Sequence, residues 1–188
     1  RQMCIRDRRQ AYRYFVGNGI PKLVERLAPA DQRTPAVLEA ALADFKRDYG
    51  QHLRDTTAPY PGIPEMLAKL KANGVQLAVF SNKADALAKE VVKDYFGTQY
   101  FTIVRGQMTG VAPKPAAEGT NALLQALHAD PASTLYVGDS NVDVETAHNA
   151  NLPCCGAVWG FRTREELNAA GAEYLAENSD ELYDVIMK

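Results

Sequence analysis

The chain has 188 residues, of which 46% are hydrophobic and 23% are charged, with a formal net charge of −2 at pH 7. This composition is that of a globular protein with one sizeable core and room for a small second lobe. Charges of both signs are interspersed and no apolar stretch is long enough to cross a bilayer, so we expect neither a nucleic-acid nor a membrane partner.

The cysteines favour a reducing compartment. Cys4, Cys154 and Cys155 form an odd set that includes two neighbours, which rarely meet disulfide geometry. Reduced thiols in a cytoplasmic protein are therefore expected, and the spacing fits no zinc motif. Residues 1–9 are basic and polar without the apolar stretch of a signal peptide, and they fit none of the later patterns. We expect this segment to be a foreign junction or disordered, at the start of a truncated chain.

Residues 11–58 carry a helical pattern throughout. Apolar side chains recur at helical spacing in two stretches of this region. Thr34 is placed to cap the second helix, with Pro35 in its first turn and Gly50 at its end. We predict a partial helical domain over residues 1–58.

The turn-rich sequence PYPG at residues 59–62 marks a boundary, after which helices alternate with short strands. The predicted strands cover residues 75–80, 100–104, 134–137, 156–159 and 173–176. The predicted helices cover residues 64–73, 84–96, 116–128, 142–150, 164–170 and 180–187. Strict alternation implies a Rossmann-like α/β fold over residues 59–188, with a parallel sheet and helices on both faces. Ligands of such sheets bind beyond the carboxyl ends of the strands.

The first predicted strand is followed by Ser81, Asn82 and Lys83. A hydroxyl and a side-chain amide beside the N–H groups of a helix N-terminus form a phosphate cradle. The alternative is that Ser81 or Asn82 only caps the helix, which both residue types do well. At the next strand, a long loop ends in Lys114 and Pro115. A lysine held by the following proline can offer a fixed positive charge to an anionic substrate, although most lysines before a helix are simply solvated.

Two acids follow the third predicted strand in the sequence VGDSNVD at residues 137–143. Gly138 permits a sharp turn, so that Asp139 and Asp143 converge above the sheet. Paired carboxylates suit Mg²⁺, with Mn²⁺ as a substitute. The alternative is helix capping by Asp139 with Asp143 in the first turn, but two neighbouring acids repel unless a cation compensates them. The strand ends together predict a site for a phosphate and a divalent cation.

The order of these motifs resembles the last three signature motifs of the haloacid dehalogenase-like hydrolases, and the resemblance extends over residues 60 to about 183. Residues 15–26 (FVGNGIPKLVER) resemble the helical cap of phosphoglycolate phosphatases, as does the PYPG junction. The resemblance implies that Ser81 and Asn82 hold phosphoryl oxygens and that Lys114 offsets charge. It also implies that Asp139 binds Mg²⁺ and that Asp143 binds or orients the metal.

The activity implied by the resemblance is hydrolysis of a phosphomonoester, 2-phosphoglycolate above all, through an aspartyl-phosphate. The resemblance also implies that a lysine and a metal ion stabilise the negative charge of the transferring phosphoryl group. The cap would close over a small phosphorylated substrate and read its carboxylate with Gly17, Asn18 and Lys22. The protein is expected to be a monomer or a homodimer.

The sequence departs from the family in one large respect and one minor one. The family's first motif, Asp-x-Asp-Gly-Thr, supplies the nucleophile and the acid–base carboxylate, but no Asp-x-Asp occurs here. Ala117 replaces a frequent proline, which is the minor change. In the family the strand that carries the first motif lies between those ending here at Phe80 and Val137. We therefore expect two unpaired edges, and a chain that is poorly soluble and inactive alone.

Other functions remain open from the sequence. A related enzyme could act on pyrophosphate, a sugar phosphate or a phosphonate. A different class is a non-catalytic phosphate-binding module that has lost its nucleophile. An in-frame Asp-x-Asp-Gly-Thr in the upstream DNA would indicate truncation, whereas a clean start codon nearby would favour the binding module.

Overall fold

The computed structural model describes residues 13–16 and 19–188 and divides the chain into two compact units, Arg1–Ala58 and Pro59–Lys188. In the first unit, helix α1 (Ile20–Leu27) packs against helix α2 (Pro35–Gln51), with a 3-10 turn at Ala30–Gln32 between them. A bilayer-spanning helix is absent from the described residues, since none combines the required length and apolarity.

The start of α2 is as predicted, but its end is not. The Thr34 hydroxyl accepts a hydrogen bond from the Val37 amide at 3.4 Å, and Pro35 occupies the first turn. Gly50 was expected to close this helix, yet the helix continues through it to Gln51. Glycine costs a helix only about 1 kcal/mol relative to alanine, and the backbone hydrogen bonds of a long helix outweigh that cost.

The second unit alternates helices and strands. Its strands are β1 (Leu77–Ala84), β2 (Phe101–Gln107), β3 (Tyr136–Gly138), β4 (Cys154–Ala157) and β5 (Tyr174–Ala176). Its helices are α3 (Ile63–Ala72), α4 (Asp85–Phe96), α5 (Glu118–Leu127), α6 (Asn141–Asn149), α7 (Arg164–Ala169) and α8 (Ser179–Ile186), with a 3-10 turn at Pro131–Ser133. The α/β class with parallel strands and flanking helices is thus confirmed.

The strands form two separate parallel sheets, β1–β2 and β3–β4–β5. Among residues 19–188, no ladder joins β1 to β3, as expected for a sheet without its middle strand. Burial agrees with this arrangement. All four residues of β4 are buried, whereas the residues of β1 and β3 are exposed or half-buried, which is unusual for parallel strands.

The apolar core lies on both faces of β4. Cys154 belongs to a cluster with α6 and α7, and Cys155 belongs to a second cluster with α3 and α8. Successive residues of a strand point to opposite faces, so two neighbouring thiols enter two different clusters. Both cysteines are free thiols, as expected from the sequence, and both are buried. Cys4 and the rest of the segment 1–9 lie outside the described residues.

Candidate active site

Lys114 lies where the carboxyl ends of β1 and β3 approach one another. Its Nζ donates to Asp143 Oδ1 at 2.7 Å and to the main-chain oxygen of Phe80 at 3.5 Å, and it also bonds to the Tyr136 hydroxyl. The Lys114 and Asp143 side chains are 12% and 10% exposed. The lysine is therefore a buried, paired charge rather than a solvated one. This geometry joins the loop after β2 to Phe80, which precedes the register shift in β1, and to the first turn of α6.

The main chain of Lys114 is held by one side chain. The Lys114 amide donates to Asn82 Oδ1 at 2.8 Å, and Asn82 Nδ2 donates to the Lys114 oxygen at 3.2 Å. On the other side of the loop, Asn149 Nδ2 donates to the Pro115 oxygen at 2.8 Å. The loop is thus anchored both to the end of β1 and to the end of α6.

Ser81 and Asn82 lie on the irregular end of β1, not on the first turn of a helix. The strand runs to Ala84 with a register shift after Phe80, and α4 begins at Asp85 without a side-chain cap. The Ser81 hydroxyl accepts from the Lys83 amide at 3.1 Å. Neither Ser81 nor Asn82 is the helix cap that the alternative interpretation required. Their contact with a phosphate remains a prediction.

Asp143 is bonded at both carboxylate oxygens. In addition to the Lys114 pair at Oδ1, its Oδ2 accepts from the Ser140 hydroxyl at 2.6 Å and from the Asp139 amide at 3.2 Å. Gly138 makes this position available, because a Cβ there would lie 2.8 Å from Asp143 Oδ2. Asp143 therefore orients its neighbours. Ser140 is the N-cap residue of α6, so the capping alternative does not account for Asp139.

Asp139 faces the loop after β4. Its Oδ2 accepts from the Phe161 amide at 3.2 Å, and its main-chain oxygen accepts from the Arg162 amide at 3.0 Å. Gly160 permits this approach, because a Cβ there would lie 2.7 Å from Asp139 Cγ. The loop from residue 160 to residue 162 thus fixes both the side chain and the main chain of this acid.

The electrostatics of the site follow from its burial and from the two acids. Burial raises the pKa of Asp139, and the nearby Asp143 carboxylate raises it further. Burial alone would lower the pKa of Lys114, but Asp143 and Tyr136 raise it above its ordinary value, so the ammonium stays charged. Burial also raises the pKa of Tyr136 to about 12, so its phenol stays protonated.

The residues present fit a hard cation only in part. Asp139 offers a half-buried oxygen ligand whose ionised form a cation would stabilise. Asp143 is already paired with Lys114, which favours an orienting role over direct ligation. Within the described ranges, no group of three or more His, Cys, Asp and Glu side chains could hold a metal. A complete site would therefore need further oxygen ligands.

The remaining predicted residues lie in the first unit. Lys22 Nζ pairs with Glu25 Oε2 at 2.7 Å, and both side chains are exposed. Gly17 and Asn18 lie outside the described residues. Sequence reasoning missed Tyr136, Ser140 and Gly160. The hydrophobic pattern hid Tyr136 as an ordinary strand residue, although its position two residues before the turn at Gly138 was a usable signal.

Comparison with known proteins agrees with this arrangement. Residues 6–157 match the family of haloacid dehalogenase-like hydrolases. The phosphoglycolate phosphatase of Mesorhizobium japonicum is 30% identical over 155 residues, which cover 81% of this chain and 68% of the relative. That of Neisseria meningitidis is 33% identical over 150 residues, covering 78% and 64%. The chain therefore spans about two thirds of the length of these relatives.

Solved structures point the same way. A crystal structure from Lactobacillus delbrueckii subsp. bulgaricus, of a protein provisionally named a phosphoglycolate phosphatase, superposes with a TM-score of 0.89 and 26% identity. The superposition covers 96% of this chain and 84% of that one. With the family match extending over more than half of its residues, the chain belongs to the haloacid dehalogenase-like hydrolases.

Proposed function

We propose that this chain is the phosphate-binding part of a phosphomonoester hydrolase that acts on a small phosphorylated substrate, most specifically 2-phosphoglycolate. The observation that carries the proposal is the Lys114 ammonium, which is buried and held between the Phe80 oxygen and Asp143 where two parallel sheets end. A fixed cation at this edge stabilises the negative charge of a transferring phosphoryl group. The choice of 2-phosphoglycolate as the substrate rests on the relatives that are named phosphoglycolate phosphatases.

Each polar residue has a role in this proposal. The Ser81 hydroxyl and the main-chain amide of Asn82 would hold the phosphoryl oxygens at the end of β1, and Lys114 neutralises charge. Asp139 is the proposed ligand of Mg²⁺, and Asp143 orients both Lys114 and the Asp139 main chain. Bound Mg²⁺ would supply a second positive charge to the phosphoryl oxygens.

The first unit is proposed as part of a substrate-reading cap. Lys22, with Gly17 and Asn18, would receive the carboxylate of the substrate. Lys22 is exposed and carries a compact positive charge, which suits this role. The proposed protein works in the cytoplasm as a monomer or a homodimer, without nucleic acid or membrane.

The nucleophile is the one part without a candidate. Residues 1–188 contain no Asp-x-Asp pair, and the aspartyl-phosphate intermediate of the haloacid dehalogenase-like hydrolases requires one. We therefore propose that these residues alone bind phosphate without turning over a substrate. The same observation supports the second candidate function, a non-catalytic phosphate-binding module.

A two-part experiment tests the proposal. Binding of inorganic phosphate and of 2-phosphoglycolate to the 188-residue chain is measured by calorimetry with Mg²⁺ present. A version extended at the N-terminus by a strand with Asp-x-Asp-Gly-Thr is then assayed against 2-phosphoglycolate, pyrophosphate, a sugar phosphate and a phosphonate. We expect binding by both proteins, and turnover by the extended protein alone, fastest on 2-phosphoglycolate.

The control is Asp139→Asn in the extended protein, which should abolish turnover while leaving the fold intact. Failure of the 188-residue chain to bind phosphate would refute the phosphate site. A folded but inactive extended protein that still binds phosphate would support the binding module instead. Turnover by the 188-residue chain itself would show that the nucleophile lies elsewhere in the sequence.

A further inference from the structure

The side chain of Asn82 makes a contact that phosphate binding does not require. Its Oδ1 accepts from the Lys114 amide at 2.8 Å, and its Nδ2 donates to the Lys114 oxygen at 3.2 Å. One planar carboxamide thus satisfies both main-chain polar groups of a residue 32 positions away in sequence. A neighbouring β-strand would satisfy the same N–H and C=O groups with its main chain, whereas here a side chain does so.

From this geometry we propose that Asn82 is a positioning residue for Lys114. Its carboxamide fixes the lysine backbone, so that the four-carbon stem starts from one place and the ammonium reaches Asp143. The chemistry is specific to asparagine. Aspartate lacks the donor for the Lys114 oxygen, and alanine lacks both groups.

Two further observations support a positioning role. The ammonium bonds to the main-chain oxygen of Phe80, two residues before Asn82, so both ends of the lysine are fixed by the same short segment. Helix capping does not explain Asn82, because α4 begins at Asp85 and has Ala84 as its N-cap. Residues 80–82 of β1 therefore fix Lys114 at two points, its main chain and its ammonium.

This inference deepens the proposed phosphate site and rests on it only for its effect on binding. A lysine that is pre-positioned loses little conformational freedom when an anion arrives, so binding is tighter. Without the carboxamide, Lys114 must order both its backbone and its stem when phosphate binds. Asn82 thus determines how strongly the Lys114 ammonium contributes to phosphate binding.

The test compares Asn82→Ala with Asn73→Ala. Asn73 Nδ2 donates to the Lys69 oxygen at 2.8 Å and to the Tyr183 hydroxyl at 3.2 Å, so the control removes two side-chain hydrogen bonds ahead of β1 rather than at its carboxyl end. Inorganic phosphate is the probe, titrated by calorimetry into the 188-residue chain. We expect Asn82→Ala to weaken binding about tenfold, and Asn73→Ala to leave it within about twofold, since each net hydrogen bond is worth a factor of several in an equilibrium constant.

A double-variant cycle separates positioning from a general loss of structure. In a Lys114→Met background, Asn82→Ala should change phosphate binding less than about twofold, because the residue being positioned is gone. An equal loss in both backgrounds would overturn the proposal. Lys114 acetylation, followed by peptide mass spectrometry, is a second measurement that needs no phosphate. Its rate should rise about tenfold in Asn82→Ala and stay constant in Asn73→Ala, because the unfixed ammonium leaves its buried pair.

The two measurements also separate this inference from the proposed function. If the unmodified chain binds no phosphate, the phosphate site is refuted, and the acetylation rate still tests the positioning of Lys114. An unchanged acetylation rate in Asn82→Ala overturns the positioning role whatever the phosphate result. Should the Lys114→Met background fail to fold, the acetylation comparison decides alone.

Discussion

Lys114→Met measures the contribution of the buried ion pair between Lys114 and Asp143 to the stability of the second unit. Methionine keeps much of the stem and its packing near the Phe80 ring, whose centroid lies 5.9 Å from Nζ, but removes the charge. Asp143 then keeps the Ser140 hydroxyl and the Asp139 amide as donors, while lying beside a second carboxylate without the ammonium.

The magnitude follows from the burial of the pair. With exposures of 12% and 10%, the two side chains are poorly screened by water. Removing one partner of such a pair costs about 3–5 kcal/mol, a large part of the 5–15 kcal/mol that stabilises a typical domain. The double variant Lys114→Met, Asp143→Asn should recover most of the loss, because the unpaired charge is then gone.

Urea unfolding near neutral pH, followed by the fluorescence of the single tryptophan Trp159, gives the free energy of unfolding. The matched control is Lys89→Met, which removes an ammonium that pairs with Asp85 at 2.7 Å but is 57% exposed. The control should change the free energy by less than about 1 kcal/mol. A loss below about 1 kcal/mol in Lys114→Met, or an equal loss in Lys89→Met, would refute the reasoning about burial.

Three further substitutions test other contacts. Gly160→Ala should lower the free energy of unfolding by about 1–3 kcal/mol and remove any Mg²⁺-induced rise in Tm, because its Cβ displaces Asp139. Gly50→Ala is the opposite case, because no described atom outside the helix's own backbone lies within 4 Å of the new Cβ, and it should stabilise α2 by about 0.5–1 kcal/mol in thermal unfolding. Asp85→Ala removes an acceptor that holds the Gly106 amide at 2.9 Å and should cost about 1 kcal/mol near neutral pH. The bonds to Lys89 and to that amide lower the pKa of Asp85, so its contribution is present above the ordinary value of 3.8 and is lost as the pH falls through the lower folded value. Urea titrations should therefore show the Asp85→Ala deficit shrinking in acid, and a constant deficit would contradict this assignment.

The sequence predicted the grouping of Lys114, Asp139 and Asp143 better than it predicted the element bounds. The strand ends placed Lys114, Asp139 and Asp143 together because parallel strands end at one edge, and the structure brings their polar groups into direct contact. The strand predicted at residues 156–159 is observed at Cys154–Ala157. A fully buried strand has no apolar alternation to mark its ends, so the pattern could not locate them.

Contacts between distant segments were beyond sequence reasoning. The bond between Asn82 and Lys114 joins residues 32 positions apart, and the approach of Gly160 to Asp139 depends on how two loops meet. Local secondary-structure propensity predicts neither of these contacts. The first strand was also predicted to stop at Phe80, whereas β1 continues irregularly to Ala84 because β2 pairs with it again at Gln107.

The two neighbouring thiols of β4 can be used to measure local opening of the second unit. Burial raises the pKa of Cys154 to about 12 and that of Cys155 to about 11, so both react with an alkylating reagent only after local opening. Since each thiol lies in a different cluster, their labelling rates measure the opening of the two faces of one sheet separately. Equal rates at the two adjacent peptide positions would mean that both faces open as one cooperative body, and unequal rates would rank the helix layers by stability.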